Sequence, residues 1–112
     1  MNVYDLADSL AKAIRNSQEF REYKTAAEKV ASNPQHKRML HDFREKQYEL
    51  QRAHLTGQQI SENKKQELLK LQGILAANPV MNTFLATEYR FGQMMADIQK
   101  IVAADLDFLP KK

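Results

Sequence analysis

Ser32-Asn33-Pro34 and Ala77-Asn78-Pro79 are near twins, 45 residues apart in a 112-residue chain. Each lies where one helical pattern stops and a longer one starts. Asn is a preferred N-cap residue, and Pro is preorganised for the first helical position, where no N–H is needed. Pro also restricts the residue before it, so each pair closes one helix and opens the next. The two junctions cut the chain into helices and raise the idea of two helical hairpins in tandem. Aligning them matches Ala31 with Ala76, Asn33 with Asn78, Pro34 with Pro79 and Leu40 with Leu85, but little else. That favours convergent use of a good helix start over duplication.

Working outward, the spacing predicts five helices, at about 3–15, 17–32, 34–55, 62–77 and 79–105. In the first, Val3, Leu6, Ala7, Leu10, Ala13 and Ile14 form one apolar stripe. Asn16 is the expected next N-cap, with Glu19 as its capping-box partner and Ser17 as the competing cap. The second helix presents Phe20, Tyr23, Ala27, Val30 and Ala31. The third carries a heptad seam of His36, Leu40, Phe43, Gln47, Leu50 and His54, and Gly57 ends it. Ser61 caps the fourth, whose Leu68, Leu71, Ile74 and Leu75 are expected inward. Beyond the fifth helix, Leu106, Phe108 and Leu109 are expected to pack until Pro110. No segment alternates as a strand does.

The fifth helix has a broad apolar set: Val80, Met81, Phe84, Leu85, Phe91, Met94, Met95, Ile98, Ile101 and Val102. A helix apolar over so much of its circumference needs cover on two sides. A second subunit supplies that more readily than one chain does, so a homodimer is expected. Candidate interface residues are Phe43, Gln47 and Leu50 on the third helix and Phe84, Glu88, Phe91, Met95 and Ile98 on the fifth. Gln47, a polar residue within the seam, is expected to set register and partner choice. Glu88 and Asp105, read as lying on the apolar stripe of the fifth helix, need partners such as Arg44, Arg52 or Arg90, because an unpaired buried charge is costly. Gly92, unfavourable in mid-helix, suggests a second helix approaching closely.

The composition narrows the chemistry. Hydrophobic residues make up 43% and charged residues 28%, ordinary values for a folded chain. With no Cys there is no disulfide, no thiolate metal site and no Cys nucleophile. His36 and His41 are five residues apart, which does not suit a helical metal pair, and His41 and Glu45 at i, i+4 lack a third ligand nearby in sequence. There is no glycine-rich phosphate loop, and no cofactor or metal is expected. The net charge of +3 is small and the signs are mixed along the third helix, as on a solvated surface. No apolar run approaches a membrane span and no signal core opens the chain, so the compartment is read as cytoplasm, without membrane contact.

The pattern Phe43-Arg44-x-x-Gln47-x-x-Leu50-Gln51 resembles that of YheA-type members of the YlbF/YmcA family. So do Val3-Tyr4-Asp5-Leu6 with Leu10-x-x-Ala13-Ile14, and Glu88-x-Arg90 through Ile98-x-Lys100-Ile101. The resemblance spans nearly the whole chain. It implies a small, all-helical, cytosolic protein that forms dimers or larger assemblies through its long helices. It also implies kinship with accessory factors in competence, sporulation and biofilm formation, thought to act with another protein on the ribonuclease that processes messenger RNA. The cysteine-held iron–sulphur clusters linked to that complex do not carry over to a chain without Cys. The family offers no catalytic motif to map.

Together these readings give a single all-α domain over residues 1–112, with two long antiparallel helices in an elongated bundle completed by dimerisation. The expected function is that of a non-enzymatic adaptor acting through protein–protein contacts with a partner whose identity the sequence does not encode. The less favoured alternative is an RNA-associated accessory factor using Lys37, Arg38, Arg44 and Arg52.

Overall fold

The computed structural model describes residues 2–106. Among them are five helices and no strand: α1 Val3–Arg15, α2 Gln18–Ala31, α3 Pro34–Thr56, α4 Glu62–Ala77 and α5 Pro79–Ala103.

The helix starts have a common chemistry. The Asn33 side chain accepts from the N–H groups of Gln35 (2.9 Å) and His36 (3.3 Å), with Pro34 following. Asn78 accepts in the same way from Val80 (3.0 Å) and Met81 (3.2 Å), with Pro79 following. Ser61 caps α4 through the Lys64 N–H at 3.2 Å, and Asn2 caps α1 through the Tyr4 N–H at 2.7 Å. Each cap satisfies donors that the helix itself leaves without acceptors.

Between α1 and α2 the expected cap was Asn16, and the structure uses Ser17. An N-cap needs an extended backbone. Asn16 keeps φ −95° and ψ 0° and closes α1, its N–H bonded to Lys12 O at 3.0 Å. Ser17 has φ −71° and ψ 152°, and its Oγ accepts from the Phe20 N–H at 3.2 Å. Glu19 therefore lies too early to complete a capping box. Gly57 ends α3 at φ +75°, a conformation that favours glycine.

The core gathers Ala26 and Val30 from α2, Phe43 from α3, Leu68 and Leu75 from α4, and Met81 and Phe84 from α5. The most extensive packing runs between α2 and α5, and α3 packs on both α4 and α2. α2 lies antiparallel to the first half of α5: Tyr23 packs on Phe84, while the earlier Phe20 packs on Phe91 and Glu22 pairs with Arg90. Phe20, Tyr23, Phe84 and Phe91 form an aromatic cluster across this joint, with Tyr23 stacked on Phe91 at 5.3 Å and Phe20 tilted against it at 5.5 Å.

Several residues depart from their expected places. Ile74, expected inward, is 47% exposed. The inward row of α4 is Leu68 and Leu75, both buried, with Leu71 half-buried, and Ile74 stands about 100° from Leu75 on a more open side. α5 stops two residues short of its expected end, because Ala104 turns extended and Asp105 takes φ +61°. Asp105 is therefore not on the α5 stripe. A short polar side chain is among the few that tolerate this backbone. The turn carries Leu106 away from the core, leaving it 61% exposed. Phe108, Leu109 and Pro110 lie outside the described residues. Gly92 faces open space, with nothing within 4 Å of a Cβ built there, so none of the described helices approaches it closely.

The molecule is thin and wide, 54 × 43 × 17 Å, with a radius of gyration of 18.6 Å. A compact chain of this length would have about 13 Å. Its accessible surface is 9269 Å², where a compact fold of 13.0 kDa would show about 6,300 Å².

Candidate interaction site

The residues singled out from the sequence do not form one surface. Phe43 and Phe84 are buried inside the chain, Leu50 packs against that core, and Phe91 is half-buried in the aromatic cluster. Met95 and Ile98 are half-buried further along α5. Gln47 is exposed, on the rim of a groove between α3 and α4 that Leu50, His54, Leu55, Ile60 and Leu68 also line. Leu55 there is 84% exposed.

Glu88 has a defined partner. Its carboxylate accepts from the Arg44 guanidinium, which lies over the Phe84 ring at 5.8 Å from the centroid. A cation on an aromatic face gains from the ring quadrupole, so Arg44 joins α3 to α5 by two contacts at once. Arg90, the other arginine near Glu88, pairs with Glu22 of α2 at 3.2 Å. The Gln18 amide donates to the same carboxyl at 2.9 Å. The Gln18 bond first, and then Arg90, hold Glu22 below the ordinary glutamate range. Lys64 reaches Glu49 at 3.6 Å and Lys46 reaches Glu67 at 4.0 Å, so α3 and α4 are laced by opposite charges. These pairs are solvent-exposed and each contributes little to stability.

Two features were not read from the sequence. Thr87 is buried on α5 and donates its hydroxyl to Phe84 O at 2.9 Å; its place three residues after Phe84, within the apolar row, was the available signal. The second links the two Asn-Pro junctions. The Asn78 amide nitrogen lies 3.2 Å from His36 Nε2, so the cap of α5 also pins the first turn of α3. Nothing in either local pattern announces that contact. His36 Nδ1 is buried without a partner.

His41 and Glu45 meet at 3.1 Å, both exposed. Among the described residues no three His, Asp or Glu side chains converge as a metal-binding group, and no helix is long and apolar enough to cross a membrane.

Besides Leu55, the barest apolar residues are on α1 and on the last turns of α5. α1 has no buried residue; Val3 is 77% and Tyr4 80% exposed. The last turns of α5 are equally bare, with Ile101 at 74% exposed.

A family model described as control of competence regulator ComK, YlbF/YmcA, matches residues 3–107. A UPF0342 protein of Desulfitobacterium hafniense is 39% identical over 111 residues, covering 98% of this chain and 90% of its own. A UPF0342 protein of Caldicellulosiruptor bescii is 36% identical over 107 residues, covering 96% and 90%. Among solved structures, a protein of unknown function (DUF964) from Bacillus stearothermophilus superposes with a TM-score of 0.78 at 26% identity, covering 93% of this chain and 91% of that one. Bacillus subtilis RicA, crystallised in complex with RicF, shares the fold with a TM-score of 0.62 at 12% identity, covering 93% and 92%. The matched span leaves out only the last few residues and the first two, and on that extent the chain belongs to the YlbF/YmcA family.

Proposed function

We propose that this protein is a non-enzymatic adaptor that self-associates and acts by holding other proteins on its helical faces. The observation that carries this reading is surface. A 13.0 kDa chain that leaves 9269 Å² accessible, with large apolar side chains such as Val3, Leu55, Leu69 and Ile101 exposed, is built for cover by other chains. The excess over a compact fold, roughly 2,900 Å², is larger than the ~800 Å² that each partner contributes to an interface of standard size. Of the candidate interface residues, Gln47 and Leu50 belong to the α3–α4 groove, which we assign to a heterologous partner, and Met95 and Ile98 to self-association. RicA, whose fold this chain shares, is itself found with a second protein.

Of the four cations named for RNA, Lys37, Arg38, Arg44 and Arg52, Arg44 is already held by Glu88 and the Phe84 ring, which weighs against RNA as the ligand. The test is affinity capture from the native cell with wild-type protein and with Leu55→Glu. Capture of the same partner that survives ribonuclease and moderate salt, and is lost in Leu55→Glu, is the expected result. Binding that is abolished by ribonuclease and falls steeply with salt would replace the adaptor with the RNA-associated reading.

A further inference from the structure

We propose that α1 is an exchange arm: its apolar stripe docks on the C-terminal half of α5 of a second copy, reciprocally, so that α1 and α5 of both chains form a four-helix joint. This rests on the self-association just proposed and names the surface that performs it.

A helix of 13 residues is marginal in water on its own and takes its stability from a packed apolar face. α1 has such a face but no buried residue, and among the described residues it packs chiefly against α2. The two-residue junction holds it there. Asn16 and Ser17 are bonded back to Lys12 O and Ile14 O, at 3.0 and 3.1 Å, while Ser17 Oγ caps α2. Among the described residues nothing covers the apolar face of α1, and a second copy can supply that cover.

The distal half of α5 has the complementary need. α2 accompanies α5 only as far as Arg90 and Phe91. Beyond lie twelve residues, about 18 Å of helix, with Met94, Met95 and Ile98 only half-buried and Ile101 and Val102 bare.

The two faces share one spacing. Val3, Leu6, Ala7, Leu10, Ala13 and Ile14 stand at offsets 0, 3, 4, 7, 10 and 11. Phe91, Met94, Met95, Ile98, Ile101 and Val102 stand at the same offsets. Each stripe is therefore about 16 Å long. Laid antiparallel, Ile14 meets Phe91, Leu10 meets Met95, Ala7 meets Ile98 and Val3 meets Val102. The small Ala7 faces a large residue, as interdigitating layers require. The contact repeats under a two-fold axis, so it closes as a dimer.

Because the chain has no Cys, engineered thiols report this contact cleanly. Leu10→Cys protein is mixed with Met95→Cys protein and oxidised, and Leu10→Cys/Met95→Cys is prepared in one chain. The mixture should give a covalent dimer that neither single variant gives, and the double variant a doubly linked dimer. Leu6→Asp/Leu10→Asp alters no buried residue, so its helix content should hold while light scattering shows association weakened about 100-fold or more. A double variant that closes within one chain would overturn the arm. So would a dimer by light scattering with no cross-link, which would leave self-association standing on another face. A wild-type monomer at micromolar concentration would overturn both the arm and the self-association, as would a monomer that binds phosphatidylglycerol vesicles through α1, since a membrane would then be the occupant.

Discussion

Two regions of this molecule are built from the same residue types and have opposite fates. In the middle, Val30 is 4% exposed and Leu75 fully buried. On α1, Val3 is 77% and Leu6 50% exposed, and on distal α5 Ile101 is 74% exposed. Helical spacing is as regular in α1 as anywhere in the chain. The difference teaches that an amphipathic pattern specifies that a face will be covered, while the fold decides whether the cover is intramolecular.

The largest effect that would break this comparison is a core truncation set against an end truncation. Leu75→Ala removes a fully buried side chain and should cost about 2–5 kcal/mol. For a chain of this size that lowers the melting temperature by roughly 10–20 °C. Leu6→Ala should leave the melting temperature of dilute protein nearly unchanged, yet lower it at high concentration, where cover by a second copy adds stability. Thermal melts over a hundredfold concentration range check both. If Leu6→Ala matches Leu75→Ala in dilute solution, α1 is packed within the chain and the two regions do not differ.

The next comparison is between the two Asn-Pro junctions. Asn33 caps α3 and does nothing else. Asn78 caps α5 and also holds His36 across the chain. Asn33→Ala should cost about 1 kcal/mol, the usual loss for a cap. Asn78→Ala should cost more, toward about 2 kcal/mol, since the half-buried His36 Nε2 then loses its partner as well as the cap being lost. Urea unfolding of the two variants measures the gap. Equal losses would mean that the His36 contact contributes nothing.

How legible this was follows from range. The helices and their Asn-Pro starts were readable because capping acts within four residues, and five helices stand within two residues of where periodicity put them. The choice between Asn16 and Ser17 was not readable, since both side chains can cap and only the backbone torsion decides. Ile74 was misplaced because periodicity gives a face and not its neighbour. The candidate site was legible in part: Glu88 needed a cation, and Arg44 was among those named. The meeting of His36 with Asn78, 42 positions apart, had no local signal. Nor did the bareness of α1, which depends on where the fold stops.

The smallest effect concerns Glu22 and Arg90, which sit where the packed region gives way to the bare one. The Gln18 amide, and then Arg90, lower the Glu22 pKa in the folded chain. A lowered carboxyl pKa means that the native state binds the proton less readily than the unfolded chain. The stability it contributes is therefore present above the ordinary glutamate range, about pH 4.3, and is lost as pH falls through the folded value. Wild-type and Glu22→Gln proteins should differ slightly in melting temperature at pH 6 and converge by pH 3. Because the pair is exposed, 0.5 M salt should also shrink the difference at pH 6. Under the exchange-arm arrangement Ile14 of a second copy meets Phe91, next to Arg90. Water then leaves the pair, salt screens it less, and the difference should resist salt at high protein concentration and yield to it at low. A difference that is equally salt-sensitive at both concentrations would show that Arg90 stays in open solvent, and that the second copy does not reach as far as Phe91.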